Sequence, residues 1–315
     1  MLFVNKPIFS LVNDVLIVCT KDRSSQVQDR LNEFRYFAHL PSAILIVDSS
    51  IDTKTQNVVN IAQSDFPVNL FYLYSKPGLP LQRNLGINWI FENILETEII
   101  HFLDDDIVPN QDYFLILRGL FTSCPRAIAI GGFDKNLDFD RHSGLIRLML
   151  GLGSTKCGVI LKSGIAIPPS PKTELQKCQW LVGGTQSFRA DLFKGHLFDP
   201  KLRMYGEDLD FYLRIAKLGD VYCSSKLPIV HLNDPMNRDT IREVNLYHNG
   251  VRWLFAHRYP KDVNRFRVLV VALALGVGEF GRFLSSRNKD HLRASLGNFE
   301  FLFRLIAKRD VVQIT

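Results

Sequence analysis

Cysteine is sparse in this 315-residue chain. The five residues, Cys19, Cys124, Cys157, Cys178 and Cys223, are odd in number and widely spaced, and none belongs to a Cys-x-x-Cys pair. This excludes a disulfide framework and a zinc site of the usual spacing, and it fits buried free thiols in a reducing compartment. Long apolar runs are also missing. The longest clean one, Val268 to Gly278, spans 11 residues, short of the roughly 18 that a membrane-crossing helix needs. No membrane-crossing helix of ordinary length is therefore expected. Residues 1–14 lack an apolar core followed by a small-residue cleavage site, so no secretory signal is expected either. There is no internal repeat and no low-complexity tract. With 46% hydrophobic and 22% charged residues, the composition excludes a disordered, collagenous or coiled-coil chain. At about 150 residues per domain the length allows two domains or one large one.

The net charge of +6 is unevenly distributed. Residues 258–310 carry 11 Lys and Arg against 5 Asp and Glu, leaving 27 of each sign elsewhere. The basic character therefore belongs to a C-terminal segment of a kind that meets an anionic membrane surface or nucleic acid. Residues 266–284 are apolar but interrupted by Arg267, Glu279 and Arg282, and residues 288–308 place Leu292, Ser295, Leu296, Phe299 and Phe303 on one helical face. Such a segment either lies on a membrane surface without crossing it or packs as a helical subdomain.

The first 130 residues alternate short apolar runs with helical patterns. Strands are predicted at Asp14–Thr20, Ala43–Val47, Asn69–Tyr74 and Glu98–Leu103. Helices are predicted between them, at Val27–Phe37, Thr53–Gln63 and Pro80–Leu95. This is the pattern of an α/β fold with a mostly parallel sheet covered on both faces. Ligands of such sheets sit beyond the carboxyl ends of the strands. Three strand ends carry polar residues: Thr20-Lys21-Asp22-Arg23, Asp48-Ser49-Ser50 and Asp104-Asp105-Asp106. Residues 133–179 read as an irregular insert, followed by order at Trp180. A helix is expected from Glu207 to Gly219, and two short strands at Val221–Ser224 and Pro228–His231.

In an extended strand end Asp104 and Asp106 share a face and Asp105 opposes them. Two adjacent carboxylates repel unless a cation lies between them, and magnesium takes one or two carboxylates and completes its shell with phosphate and water. A solvated acidic loop is the alternative. Glu207, Asp208 and Asp210 stand at a helix N-terminus, where the helix dipole alone explains them, or where one of them serves as a general base. His231, after a short strand, is either a metal ligand or a satisfied structural residue. Arg83 forks onto a phosphate or carboxylate, or makes a surface ion pair.

The order and spacing of these elements resemble the inverting family-2 glycosyltransferases of GT-A fold, mostly bacterial. The resemblance is carried by Thr20-Lys21-Asp22-Arg23, Val47-Asp48-Ser49-Ser50, Arg83-Asn84-Leu85-Gly86, Phe102-Leu103-Asp104-Asp105-Asp106, Gly183-Gly184-Thr185-Gln186-Ser187-Phe188-Arg189, and Gly206-Glu207-Asp208-Leu209-Asp210 with Arg214. It covers residues 13–255. It implies a GT-A domain over 1–257, with a nucleotide-sugar half at 14–130 and an acceptor half at 131–257, followed by a basic amphipathic helical extension at 258–315. Thr20, Asp22, Arg23 and Asp48 would line the nucleotide, and Arg83, Asp104 and Asp105 would also face the donor. Asp104, Asp106 and His231 would hold Mn²⁺ or Mg²⁺, with Asp106 the direct ligand. Asp208, with Glu207 beside it, would be the catalytic base. Gly183 and Gly184 would border the acceptor, and Trp180 would stack on a sugar. Many relatives have Asp-Asp or Asp-Asn where this chain has Asp48-Ser49. Asn249-Gly250-Val251-Arg252-Trp253 resembles the Q-x-x-R-W of processive synthases with Asn in place of Gln, which implies single addition.

The expected activity is inverting transfer from a nucleotide-sugar to a sugar or lipid-linked acceptor in bacterial surface polysaccharide or glycolipid synthesis. The expected location is cytoplasmic, peripheral on the inner face of the membrane, without nucleic-acid binding. One rival is a sugar-phosphate nucleotidyltransferase, opposed by the lack of a Gly-rich phosphate loop after the first strand. The other is a non-catalytic membrane-associated scaffold, opposed by the joint presence of Asp106, Asp208 and His231.

Overall fold

The structure, a computed structural model, describes residues 13–137, 144–202, 205–232 and 240–310. The N-terminal stretch read for a secretory signal and part of the expected insert lie outside the described residues. In chain order the elements are β1 (Asp14–Thr20), α1 (Ser24–Phe34), β2 (Ala43–Asp48), α2 (Lys54–Gln63), β3 (Asn69–Tyr74), α3 (Leu79–Asn93), β4 (Ile99–Leu103), β5 (Ile107–Pro109), α4 (Tyr113–Ser123) and β6 (Ala127–Asp134). They continue with α5 (Leu145–Met149), β7 (Val159–Ile160), β8 (Ala166–Ile167), β9 (Leu175–Cys178), β10 (Thr185–Arg189), α6 (Glu207–Ile215), β11 (Asp220–His231), α7 (Ile241–Arg258), α8 (Arg265–Ser286) and α9 (Lys289–Ile306).

The main sheet runs β3-β2-β1-β4-β10-β6-β11-β5, with β9 also pairing β11. The first four of these are parallel, as are β6 and β11, while β10, β5 and β9 run against them. Successive strand residues feed opposite faces. Val15, Ile17, Leu45 and Val47 join one core with Ile87 and Ile90 of α3. Leu16, Val18, Ile44 and Ile46 join the other, beneath α1, α2 and α4. This two-sided burial is why the strands read as continuous apolar runs. All five cysteines are unpaired.

Several expectations are corrected. The two short strands after Gly219 are one strand, β11, whose register slips against β6 between Cys223 and Pro228; Pro228 has no N–H to donate to a regular ladder. Helix α6 stops at Ile215, before Gly219. The insert contributes β9 to the main sheet. A third core joins α7, α8 and α9 through Val251, Phe255, Val268, Ala272 and Phe301. On α9 the buried face is Ala294, Ser295, Asn298 and Phe301, whereas Leu296, Phe299 and Phe303 of the expected stripe point partly outward. Small residues on the inner face let the helices approach closely: Ser295 Oγ donates to the Gly276 carbonyl at 2.9 Å.

Helix α8 has 22 residues, a mean hydropathy of 1.7 and only 22% of its apolar window buried. By length and composition it is able to cross a membrane. The clean-run criterion missed it because Glu279 and Arg282 interrupt the run without lowering the average enough.

Candidate active site

The carboxyl ends of β1, β2 and β4 meet on one edge, as parallel pairing of these strands requires. Thr20 Oγ1 donates to Asp105 Oδ2 at 2.6 Å, and Arg23 Nη1 donates to Asp105 Oδ1 at 2.8 Å and Asp106 Oδ2 at 3.3 Å. Burial pushes the Asp105 carboxyl up to about 6, against the Thr20 and Arg23 contacts. Asp22 is exposed, in the left-handed region at φ 56°, with its N–H bonded to Ser50 Oγ at 2.7 Å. Asp48 is fully buried and accepts from the Ser50 N–H at 2.9 Å, Ser50 Oγ at 2.5 Å and Tyr72 Oη at 3.2 Å. It therefore shapes the strand end rather than presenting a free carboxylate.

Antiparallel pairing of β11 with β5 sets His231 opposite Ile107. This brings His231 Nε2 to 3.1 Å from Asp106 Oδ1. The hydrogen bond to Asp106 raises the His231 pKa against the effect of burial. The 3.1 Å separation is that of a hydrogen bond, and the carboxylate oxygen and imidazole nitrogen are also donor types that a divalent ion takes. Asp104 lies close enough for its charge to act on both groups. Among the described residues no group of three or more His, Cys, Asp or Glu side chains forms a ready cage.

Helix α3 aims two side chains at the same edge. Gly86 makes this approach possible, since a Cβ there would lie 3.0 Å from Ile17 Cδ1 and 3.3 Å from Val47 Cγ2. Gln82, to which the sequence reading assigned no role, donates its Nε2 to the carbonyls of Thr20 at 2.8 Å and Val47 at 2.9 Å, locking two strand ends together. Arg83 is 1% exposed, so the surface-pair alternative is excluded. Its Nη1 reaches Glu207 Oε1 at 3.2 Å and its Nη2 donates to the Gly183 carbonyl at 3.0 Å, while Phe198 and Phe102 lie 5.2 and 5.6 Å from the guanidinium.

Gly183 and Gly184 sit between the two acidic groups. A Cβ on Gly183 would lie 3.3 Å from Asp208 Oδ2, and one on Gly184 2.5 Å from Asp104 Oδ2. The neighbouring Cα atoms of a trans peptide are about 3.8 Å apart, so one dipeptide touches both carboxylates. Burial raises the Asp208 pKa, and Arg83 and backbone N–H groups oppose it. Burial, then the Asp208 charge, raises the Glu207 pKa as well. Asp210, on the other side of α6, bonds to Arg214, Arg258 and Tyr259.

Beyond Asp208 opens a cleft of about 270 Å³ whose walls include Trp180, His248, Val251, Arg252 and Phe255. Trp180 is 8% exposed and its indole N–H donates to the Ile167 carbonyl at 2.9 Å, fixing the ring as part of the wall.

No protein-family model matches the chain, and no curated protein matches it in sequence. Solved structures do match in shape. A mannosyltransferase from Pyrobaculum calidifontis, PcManGT, in complex with GDP-Man and Mn²⁺, superposes with a TM-score of 0.56 at 15% identity, over 94% of this chain and 75% of that one. Residues 1–349 of S. aureus TarS in complex with UDP-GlcNAc give 0.53 at 16% identity, over 87% and 73%. A mycobacterial protein gives 0.51 at 14% identity, over 80% and 79%. At such identities the likeness establishes the fold alone, a mixed α/β, GT-A-like fold with a C-terminal helical region.

Proposed function

We propose that the protein transfers a sugar from a nucleotide-diphosphate sugar to an acceptor hydroxyl, with inversion. The observation that carries this is the Gly183-Gly184 dipeptide, which lies against both the Asp104 and the Asp208 carboxylates in a fold shared with nucleotide-sugar-bound structures. Thr20, Asp22, Arg23 and Asp48 shape the nucleotide side. Asp106 and His231, with Asp104, are the residues that would hold Mn²⁺ or Mg²⁺, and a bound ion would supply positive charge for the diphosphate leaving group. Asp208 accepts the proton of the acceptor hydroxyl, and its raised pKa favours proton uptake. Arg83 and Glu207 hold the base in place. The hydroxyl attacks the anomeric carbon from the face opposite the diphosphate, so a single displacement inverts the configuration.

The test is a comparison of three variants with a panel of nucleotide-sugars. Asp106→Asn abolishes the extra stabilisation that a nucleoside diphosphate gives with Mn²⁺ over EDTA. Asp208→Asn keeps that stabilisation while transfer falls by about two to four orders of magnitude. Asp210→Asn keeps transfer, because its carboxylate faces Arg258 and Tyr259 instead. Near-normal transfer by Asp208→Asn refutes the base, and retained configuration in the product refutes the single displacement.

The C-terminal helices are proposed to rest on an anionic membrane surface. Phe266, Leu273, Val277, Phe280 and Leu284 of α8 are exposed, as are Leu145, Ile146 and Met149 of α5. Arg265, Arg267, Arg282, Arg287 and Lys289 flank the α8 stripe. The acceptor is accordingly a glycan or lipid-linked sugar of the bacterial surface.

A further inference from the structure

Among the described residues Arg252 has no counter-ion. It lies on α7 in the wall of the cleft beside Asp208. Among the described residues it forms no ion pair, and the one acceptor its guanidinium meets is Asn249 Oδ1, at 3.0 Å from Nη1. Its position is nevertheless fixed twice. Asn298 of α9 donates its amide to the Ala294 carbonyl at 2.8 Å, which turns its oxygen to accept from Asn249 Nδ2, also at 2.8 Å. That bond in turn fixes the Asn249 oxygen toward Arg252. Both asparagines are fully buried. The stem of Arg252 is pinned by Gly164 at φ 76°, where a Cβ would lie 2.9 Å from Arg252 Cγ.

Burial pushes the Arg252 guanidinium down to about 10, with no carboxylate acting against it. Burial and the Arg252 charge push His248 down to about 4, so the imidazole beside it is neutral at physiological pH. Asp208 does not compensate it either, being held through the Arg83 and Gly183 network. A partly buried cation without a counter-ion is costly. A preformed guanidinium matches the planar geometry of carboxylate and phosphate oxygens. Among the other lining residues, Trp180, Val251 and Phe255 give apolar walls that suit a sugar ring.

We propose that this cleft is an anion subsite for the acceptor, in which Arg252 binds a carboxylate or phosphate carried on the sugar whose hydroxyl faces Asp208. The proposal rests on the sugar-transfer reading above and adds the acceptor's chemical class. Neutral glycans are then poor acceptors, and uronates or sugar phosphates good ones.

Calorimetry on the full chain, with and without Mn²⁺ and UDP or GDP, tests it using methyl glucoside, glucuronic acid, glucose 6-phosphate and inorganic phosphate as probes. One or both anionic sugars bind wild type at least ten-fold more tightly than methyl glucoside, and the tighter of the two identifies the source of the charge. Arg252→Gln removes this preference, Arg252→Lys keeps part of it, and both bind Mn²⁺ and nucleotide as wild type does. Equal affinity of wild type for neutral and anionic sugars overturns the subsite and needs no variant to fold. Phosphate alone binding as tightly as glucose 6-phosphate overturns its link to a sugar. Loss of nucleotide affinity in Arg252→Gln with sugar preference intact moves the arginine to the donor and also overturns it. A wild type that binds no nucleotide under any condition refutes the donor reading instead, and the anion preference measured without nucleotide still decides the role of Arg252.

Discussion

Replacing Arg83 by Met separates the ion pair at the centre of the site from the chemistry around it. The guanidinium is 1% exposed and stands between Phe102 and Phe198. Met roughly conserves the stem but leaves Glu207 without its cation and the Gly183 carbonyl without its donor. Breaking a buried pair from one side costs about 3–5 kcal/mol, a large share of the about 5–15 kcal/mol that stabilises a typical protein. Glu207→Gln in the same background removes the stranded carboxylate, so the double variant should be about 1–3 kcal/mol more stable than the sum of the single changes. The pH dependence has a defined sign. The folded pKa of Glu207 lies above its unfolded value, so its contribution to stability is full below about 4.5 and declines as pH rises toward about 8. Loss of Arg83 raises that pKa further. The deficit of Arg83→Met is therefore smaller at pH 5 than at pH 8. Urea unfolding of the four proteins at both pH values measures all of this. Additivity within about 0.5 kcal/mol, or a deficit that shrinks with rising pH, refutes the assignment of Arg83 as the cation that opposes the upward pKa shift of Glu207.

Three further outcomes are expected. Gly184→Ala drives a methyl to 2.5 Å from Asp104 Oδ2, so Mn²⁺-dependent nucleotide binding by thermal shift should weaken at least ten-fold while the fold survives by circular dichroism. Asp14→Asn should cost about 3 kcal/mol in urea unfolding, the low end of the buried-pair range because Arg118 keeps some contact with water. For Asp14, burial raises the pKa but His101 and Arg118 outweigh it and the net shift is downward, so the loss is full near neutral pH and fades as pH falls below about 3.9. Anionic vesicles should bind the protein at low salt and release much of it at high salt, and Phe266→Ser with Phe280→Ser on α8 should weaken binding without altering nucleotide affinity.

The strands were legible because burial on both faces turns each into an unbroken apolar run, and the strand-end acids stood out against those runs. The partners of the acids were not legible. Arg83 and Glu207 are 124 positions apart, and only the closed sheet brings them together. The β10 strand was missed as a strand because Thr185-Gln186-Ser187 looks polar, yet these residues are buried against β4 and β6. Gln186 finds Tyr212 Oη at 3.1 Å, and Ser187 finds His101 Nδ1 at 2.8 Å. Polar residues inside a sheet carry no periodic hydrophobic signal, so pattern reading passes over them.

Helix α6 shows how far such reading reaches and where it stops. Three carboxylates in four positions at its start are visible in the sequence, and a dipole at the helix N-terminus accounts for all of them equally. The fold treats them unequally. A helix turns about 100° per residue, so Asp208 and Asp210 face nearly opposite ways. Gly206, at φ 91°, lets the chain enter the helix against α7, where a Cβ would lie 2.6 Å from Val251 Cγ1. With that entry fixed, Glu207 falls toward Arg83 and Asp208 toward Gly183, while Asp210 falls toward Arg258 and Tyr259 near the C-terminal end of α7. One short helix thus ties the strand-end acids to the C-terminal helices. Asn298 makes the connection from the other side, reaching from α9 through Asn249 to Arg252. The cleft between Asp208 and Arg252 is therefore bounded by side chains that both the sheet and the C-terminal helices hold in place, and removing either support should disturb it.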